Sequence, residues 1–166
     1  SQETALKAFV IWTMGSLSNV SSSQIPFLLL GFFPGIILAF LIIKPSNAIL
    51  LGENYAKTVG VNVVLYRILV FTSTSLLTGT VTAFCGPIGF IGIAVPHIAR
   101  LMSSTSRSGL LLIYTILIGS SVMLLSDIVS QLPGSESILP LNAVTSLIGI
   151  PVVIWIVFRK KKISSQ

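Results

Sequence analysis

Charge is the first thing this sequence is short of. Only 8% of its 166 residues are charged, where a soluble domain carries about 25%. With 53% hydrophobic residues, too little polar side chain remains to cover a globule of this size. A soluble fold is excluded and an integral membrane protein is expected. Histidine and cysteine occur once each, as His97 and Cys85. A single cysteine excludes an internal disulfide, and among apolar neighbours Cys85 reads as a small packing residue. One His and one Cys cannot supply the ligand set of a zinc or iron centre. HExxH, CxxC and GxxxxGK[ST] are all absent, so neither a metalloprotease helix nor an ATP-hydrolysing phosphate loop is encoded. No Ser-His-Asp order is defensible around a sole histidine that follows a proline in an apolar run. No catalytic residue, metal or cofactor is therefore assigned to this chain.

Acidic residues are also scarce: four Asp and Glu stand against ten Lys and Arg, for a net charge of +6. That balance alone would suit nucleic acid, but the distribution of the bases argues otherwise. Five apolar stretches read as membrane helices: 25–43, 63–84, 88–102, 109–129 and 141–158, the third short and irregular. If they alternate, Lys44, Lys57, Arg67, Arg100, Arg107, Arg159, Lys160, Lys161 and Lys162 share one side, and only Lys7 is left for the other. The positive-inside rule makes segments 44–62, 103–108 and 159–166 cytoplasmic, and 1–24, 84–88 and 130–140 external. The basic tail is an orientation signal first and a contact for acidic membrane lipid second. No nucleic-acid partner is expected. The fold class is all-α, a polytopic membrane helix bundle with five transmembrane helices. Residues 5–15 are too short to span, and read as the end of a preceding helix or as an amphipathic surface segment. The chain opens without Met or a basic n-region, so no signal peptide is expected and it reads as the later part of a longer protein.

The cytoplasmic segment 45–62 is long for a turn. Pro45 and Ser46 suit a helix start and Gly60 a helix end, so one or two short helices are expected. Ile49, Leu50, Tyr55, Ala56 and Val59 make an apolar stripe beside Glu53, Asn54 and Lys57. Such an element lies on a membrane, docks into a partner's groove or packs on its own surface; the residues alone leave these open. Asp127, near the outer end of the fourth span, is either a hydrogen-bonded anchor or a pathway residue. The hydroxyls of TSTSLLTGTVT with Gly79, and Gly119, Ser120 and Ser121, suit close helix contacts within a bundle.

The stretch CGPIGFIGIAVPHIAR, residues 85–100, is unlike a plain lipid-facing helix. Gly86 and Gly89 allow backbone angles that other residues resist, while Pro87 fixes one and lacks a donor. Pro96 breaks the hydrogen-bond ladder of the third span one turn before Arg100. Freed backbone groups at membrane depth are tolerated only against protein or a water-filled cavity. Interrupted helices of this type line transport pathways; a kinked structural helix is the alternative. His97 reads as a packing or hydrogen-bonding residue.

These residues also carry a resemblance. GPIGFIGIAVPHIARLM resembles the GPIGFxGLxxPHxxRxL signature of the FecCD family, the BtuC-like permease subunits of ABC importers for iron–siderophore, haem and cobalamin. LLGENYAKTVGVNV resembles LGExxAxxLGVNV, and WTMGSLSNVS resembles WxMGSLSG. SDIVSQ resembles ADxxAR, and LPLNAVTSLIGIPVVIWIV resembles LPVGxxTALIGAPFFLWLL. The matches run in family order from about residue 12 to 160.

The resemblance implies that residues 1–166 are the C-terminal half of a ten-helix permease domain in a bacterial inner membrane, with a cytoplasmic C-terminus. Its implied partners are ABC ATPase subunits, a second permease subunit in a homo- or heterodimer, and a substrate-binding lipoprotein or periplasmic protein. ATP hydrolysis would then reside in the separate ATPase, and this chain would be no enzyme. By the same resemblance, 45–62 is the ATPase-coupling segment, with Gly52, Glu53, Ala56 and Gly60 at motif positions. The 86–100 stretch is the translocation-path or gating element, with Gly86, Pro87, Gly89, Phe90, Pro96, His97 and Arg100 at matching positions. Arg100 and His97 would fix its inner end near the coupling region. Docking of the binding protein falls to Gln131, where the family has arginine, and to Glu136. Ile138 and Asn142 replace Glu and Gly of the family's ELPVG, a variant similar to members that pair non-identical permeases for ferric siderophores. The expected cargo is a ferric siderophore or related metal chelate. An ATP-independent channel or secondary transporter is the competing reading.

Overall fold

The computed structural model describes residues 2–17, 20–103, 106–131 and 139–163. Among them every regular element is a helix: α1 (Gln2–Met14), α2 (Ile25–Leu41), α3 (Ile43–Ile49), α4 (Glu53–Thr58), α5 (Val63–Cys85), α6 (Ile91–Ser103), α7 (Ser108–Ser130) and α8 (Leu141–Ile163). The all-helical class expected from the sequence holds. Two helices, α5 and α7, are long and apolar enough to cross a membrane, at 23 residues each, and α2 with α3 passes the same test as a pair bent by 45°. In α6 and in residues 141–155 of α8 the apolar helix is shorter. Each expected span thus lies on a helix, while length and composition establish two spans, or three with the bent pair.

Two boundaries differ from the sequence reading. The first stretch is not one rod to residue 43: α2 ends at Leu41, and after Ile42 the chain continues as α3 at an angle. The 88–102 stretch does not break at Pro96. Its helix starts late, at Ile91, and runs through Pro96 to Ser103, because a proline in this position strips only one carbonyl, that of Gly92, of its i→i−4 donor. The irregular part is the turn before the helix.

The chain forms two compact units. One comprises Ser1–Leu17, Cys85–Ser104 and Tyr114–Gln166, the other Ser18–Phe84 and Thr105–Ile113. In the first, α6 packs on α8. Ala94, Val95 and Ala99 of α6 and Leu141, Val144 and Thr145 of α8 are buried. The Phe90 side chain lies over Gly149, where a Cβ would come 2.5 Å from Phe90 Cβ. In the second unit, α2 meets α5 through two glycines one turn apart. A Cβ on Gly31 would reach 2.2 Å from Thr80 Oγ1, and one on Gly35 2.7 Å from Leu77 Cγ. Buried Ser73 Oγ donates to the Gly35 carbonyl at 2.8 Å. This is small-residue helix packing, in which absent side chains let backbones approach and a hydroxyl bonds across. The sequence reading assigned that role to Gly79, but a Cβ there would meet open space. Phe71, Leu117 and Leu147 are among many exposed large apolar residues, a surface that lipid tails cover at no cost.

Candidate functional site

Two clusters hold the residues singled out in the sequence. The first is the 43–62 segment. Its backbone is set by two glycines with positive φ. Gly52, at φ 117° and ψ 145°, is the N-cap of α4 in a region essentially closed to other residues. Gly60, at φ 85°, ends α4: its N–H donates to the Lys57 carbonyl at 3.1 Å and the Val61 N–H to the Ala56 carbonyl at 2.9 Å. That pair of bonds is a Schellman motif, which needs a left-handed residue at Gly60. Asn62 then caps α5, its Oδ1 accepting from the Leu65 N–H at 3.0 Å.

Side chains fasten this bracket to its own unit. Ser46 Oγ donates to the Ile42 carbonyl at 2.6 Å, so its single proton is used and the Tyr66 hydroxyl, 3.1 Å away, is the donor to Ser46. Asn47 Oδ1 accepts from the Ser108 N–H at 2.8 Å. Glu53 pairs with Arg67 in the first turns of α5. Of the expected apolar stripe, Ala56 is fully buried and anchors α4, while Leu50, Tyr55 and Val59 face outward together with Leu51. No neighbour lies within 4 Å of where a Cβ would stand on Gly52 or Gly60. The segment is therefore fixed underneath and bare on top.

The second cluster is the 85–90 turn. Gly86 has φ 78°, and a Cβ on it would stand 2.2 Å from the Trp12 carbonyl oxygen and 3.2 Å from Gly15 Cα. Backbone lies against backbone here. Ser16 N–H donates to the Cys85 carbonyl at 2.9 Å, and Leu141 N–H reaches the Gly15 carbonyl at 3.4 Å. Phe90 has φ 63°, the sole positive value outside glycine among the described residues, a conformation that costs an ordinary residue roughly 1–2 kcal/mol. Its carbonyl accepts from the Ile93 N–H at 3.1 Å and the Ala94 N–H at 2.9 Å, which starts α6. Asn142, in the first turn of α8, binds the turn from both sides: Nδ2 donates to Pro87 O at 2.7 Å and to Thr13 O at 3.0 Å, and Oδ1 accepts from Gly89 N–H at 3.0 Å.

The structure thus gathers Gly86, Pro87, Gly89 and Phe90 at one turn. Pro96, His97 and Arg100 sit further along α6, with Arg100 about 15 Å down the axis from Phe90. His97 is half-buried and Arg100 exposed. Gln131 Nε2 donates to Asp127 Oδ2 at 2.8 Å, an exposed bond one turn along the same helix end. Glu136 lies outside the described residues. No group of three His, Cys, Asp or Glu that would hold a metal ion occurs among the described residues.

Several contacts were not legible beforehand. Arg67 counted only as an orientation charge and Asn142 only as a departure from a motif. Gly31 and Gly35 do carry a signal, the G-x-x-x-G spacing of a close helix contact, within the first expected span.

The model of the FecCD transport family matches residues 1–159. The chain belongs to the FecCD transport family. Among FecCD-type relatives, it is 33% identical over 156 residues to the vitamin B12 import system permease protein BtuC of Klebsiella pneumoniae subsp. pneumoniae, covering 94% of this chain and 46% of that protein. Against BtuC of Escherichia coli O9:H4 the identity is 33% over 162 residues, 98% of this chain and 49% of the relative. A solved structure described as a metal-chelate type ABC transporter in an inward-facing conformation superposes with a TM-score of 0.77 at 28% identity, over 95% of this chain and 52% of that one. The chain spans about half the length of the curated relatives it matches.

Proposed function

We propose that this chain is the second half of the permease subunit of an ATP-binding-cassette importer. On this reading five helices cross a bacterial cytoplasmic membrane, with α2, α5, α6, α7 and α8 as the spans and the C-terminus inside. The observation that carries the reading is the form of the 43–62 segment within a FecCD chain. A short helix pair held by hydrogen bonds and capped by two left-handed glycines presents Leu50, Leu51, Tyr55 and Val59 outward. An apolar knob on a fixed base suits insertion into a groove of a partner protein, here the separate ATPase subunit. Gly52 and Gly60 set its shape, Ala56 roots it, and Glu53 holds it through Arg67.

The cargo proposed is a ferric siderophore or related metal chelate. The LPLN variant at residues 139–142 and the likeness to a metal-chelate type transporter support it, while the BtuC relatives import vitamin B12. Residues 86–100 border the pathway, with His97 and Arg100 fixing the inner end of α6. Gln131 and Glu136 are the docking positions for an external binding protein, and a second permease subunit completes the pore.

The test is to replace Glu53 and Gly60 together with bulky residues in the reconstituted importer. The expected result is continued ATP hydrolysis with uptake lowered on the order of tenfold or more, as for a lost 1.4 kcal/mol of coupling. Uptake at the wild-type rate in that variant would remove the coupling assignment. Uptake by cells given ferric siderophore, haem or cobalamin decides the cargo, and uptake of cobalamin alone would overturn the siderophore proposal.

A further inference from the structure

We propose that Asn142 is a positioning residue that ties the end of α1, the 86–90 turn and the start of α8 into one body, which moves as a unit during transport. This rests on the permease reading above. The turn cannot hold itself. Pro87 has no N–H to give, Gly86 and Phe90 both sit at positive φ, and α6 begins only at Ile91, so no helix ladder reaches back over residues 86–89. Polar backbone groups in such a place need partners from elsewhere.

Asn142 supplies them with a single group. A carboxamide has two donors and an oxygen acceptor, and all are in use. The Pro87 carbonyl and the Gly89 N–H flank Ile88, and the amide meets both at once, at 2.7 and 3.0 Å. It pairs with the turn as the backbone of a neighbouring strand would. The second donor goes to a different segment, the Thr13 carbonyl at the end of α1. Gly15 lies beside this group at φ 71°: a Cβ there would stand in ordinary contact, 3.4 Å from Pro87 O and 3.6 Å from Asn142 Nδ2, so the backbone angle rather than space calls for glycine. A hydrocarbon side chain at 142 satisfies none of the three partners. Aspartate has the same shape but presents an oxygen to two carbonyls.

The experiment uses the complete importer, with ATPase and binding protein, in lipid nanodiscs. Amide hydrogen exchange is followed at Gly89 and Ser16 in the nucleotide-free and vanadate-trapped states, beside ATP-driven uptake. In the wild type both amides should exchange slowly in both states. Asn142→Gly and Asn142→Leu should speed exchange at Gly89 about tenfold, as expected when one hydrogen bond is lost. Asn142→Asp should leave Gly89 protected through its remaining oxygen and speed exchange at Ser16 instead. Each variant should lower uptake per ATP hydrolysed while the ATPase still co-purifies. Unchanged exchange at Gly89 in both Asn142→Gly and Asn142→Leu overturns the tie. So does a wild-type Gly89 amide that is protected in one state and open in the other, because the turn would then move separately. A wild-type complex without ATP-driven uptake overturns the permease reading itself, and the exchange pattern then judges the tie alone.

Discussion

The 85–90 turn and the 43–62 bracket are both glycine-bearing links that lead into an apolar helix, yet they are built on opposite plans. At the turn, glycine is needed for space: the Gly86 backbone lies against Trp12 and Gly15 with no room for a methyl group. In the bracket, glycine is needed for angle: Gly52 and Gly60 have positive φ and open surroundings. The turn is closed at Cys85 and Gly86, both buried by their own chain. The bracket is closed only below, and its apolar residues are left uncovered. A surface left bare on a rigid base is one that another molecule can use, whereas a turn packed to backbone contact transmits the movement of its neighbours.

Four substitutions probe this contrast. The largest effect is expected from Gly86→Val, which meets a backbone oxygen and a positive φ together and should cost about 3 kcal/mol or more. Thermal unfolding of the purified protein measures it, and a wild-type midpoint would erase the distinction. Gly52→Ala faces only the backbone penalty, about 1–3 kcal/mol. It should distort the bracket while α5 and α7 stay inserted, seen as weakened binding of the proposed ATPase partner in a pull-down. Tyr66→Phe removes one hydrogen bond to Ser46 and should cost about 1 kcal/mol, again read from the unfolding midpoint. Arg67→Ala should have the smallest effect on stability. Its partner and it are 47% and 59% exposed, and such a pair contributes under about 1 kcal/mol. Repeating that comparison in high salt sharpens it, since screening should bring wild type and variant together.

Much of the fold was legible because membrane helices announce themselves by apolar length. The positions of α5, α7 and the start of α8 were placed within a residue or two of where they lie. The helix end at Gly60 was legible because a Schellman glycine has a local cause. The bend after Leu41 was not, since LAFLIIK is equally apolar on both sides of it and hydropathy carries no angle. Pro96 misled for a related reason: it marks a missing donor, and one lost bond does not break a helix whose other bonds persist. Asn142 was hidden because its three partners come from residues 13, 87 and 89. Such a role exists only after the chain has folded.

On the proposed coupling role, the 45° bend between α2 and α3 would act as a crank. Force arriving along α3 from a molecule seated on the bracket divides almost equally into a thrust along α2 and a sideways push on it. The thrust meets a helix locked to α5 by Ser73 and by the glycines at 31 and 35, and helices packed that closely slide poorly past one another. In that proposed role, a pull on the bracket would then reach the α2–α5 pair chiefly as a tilt.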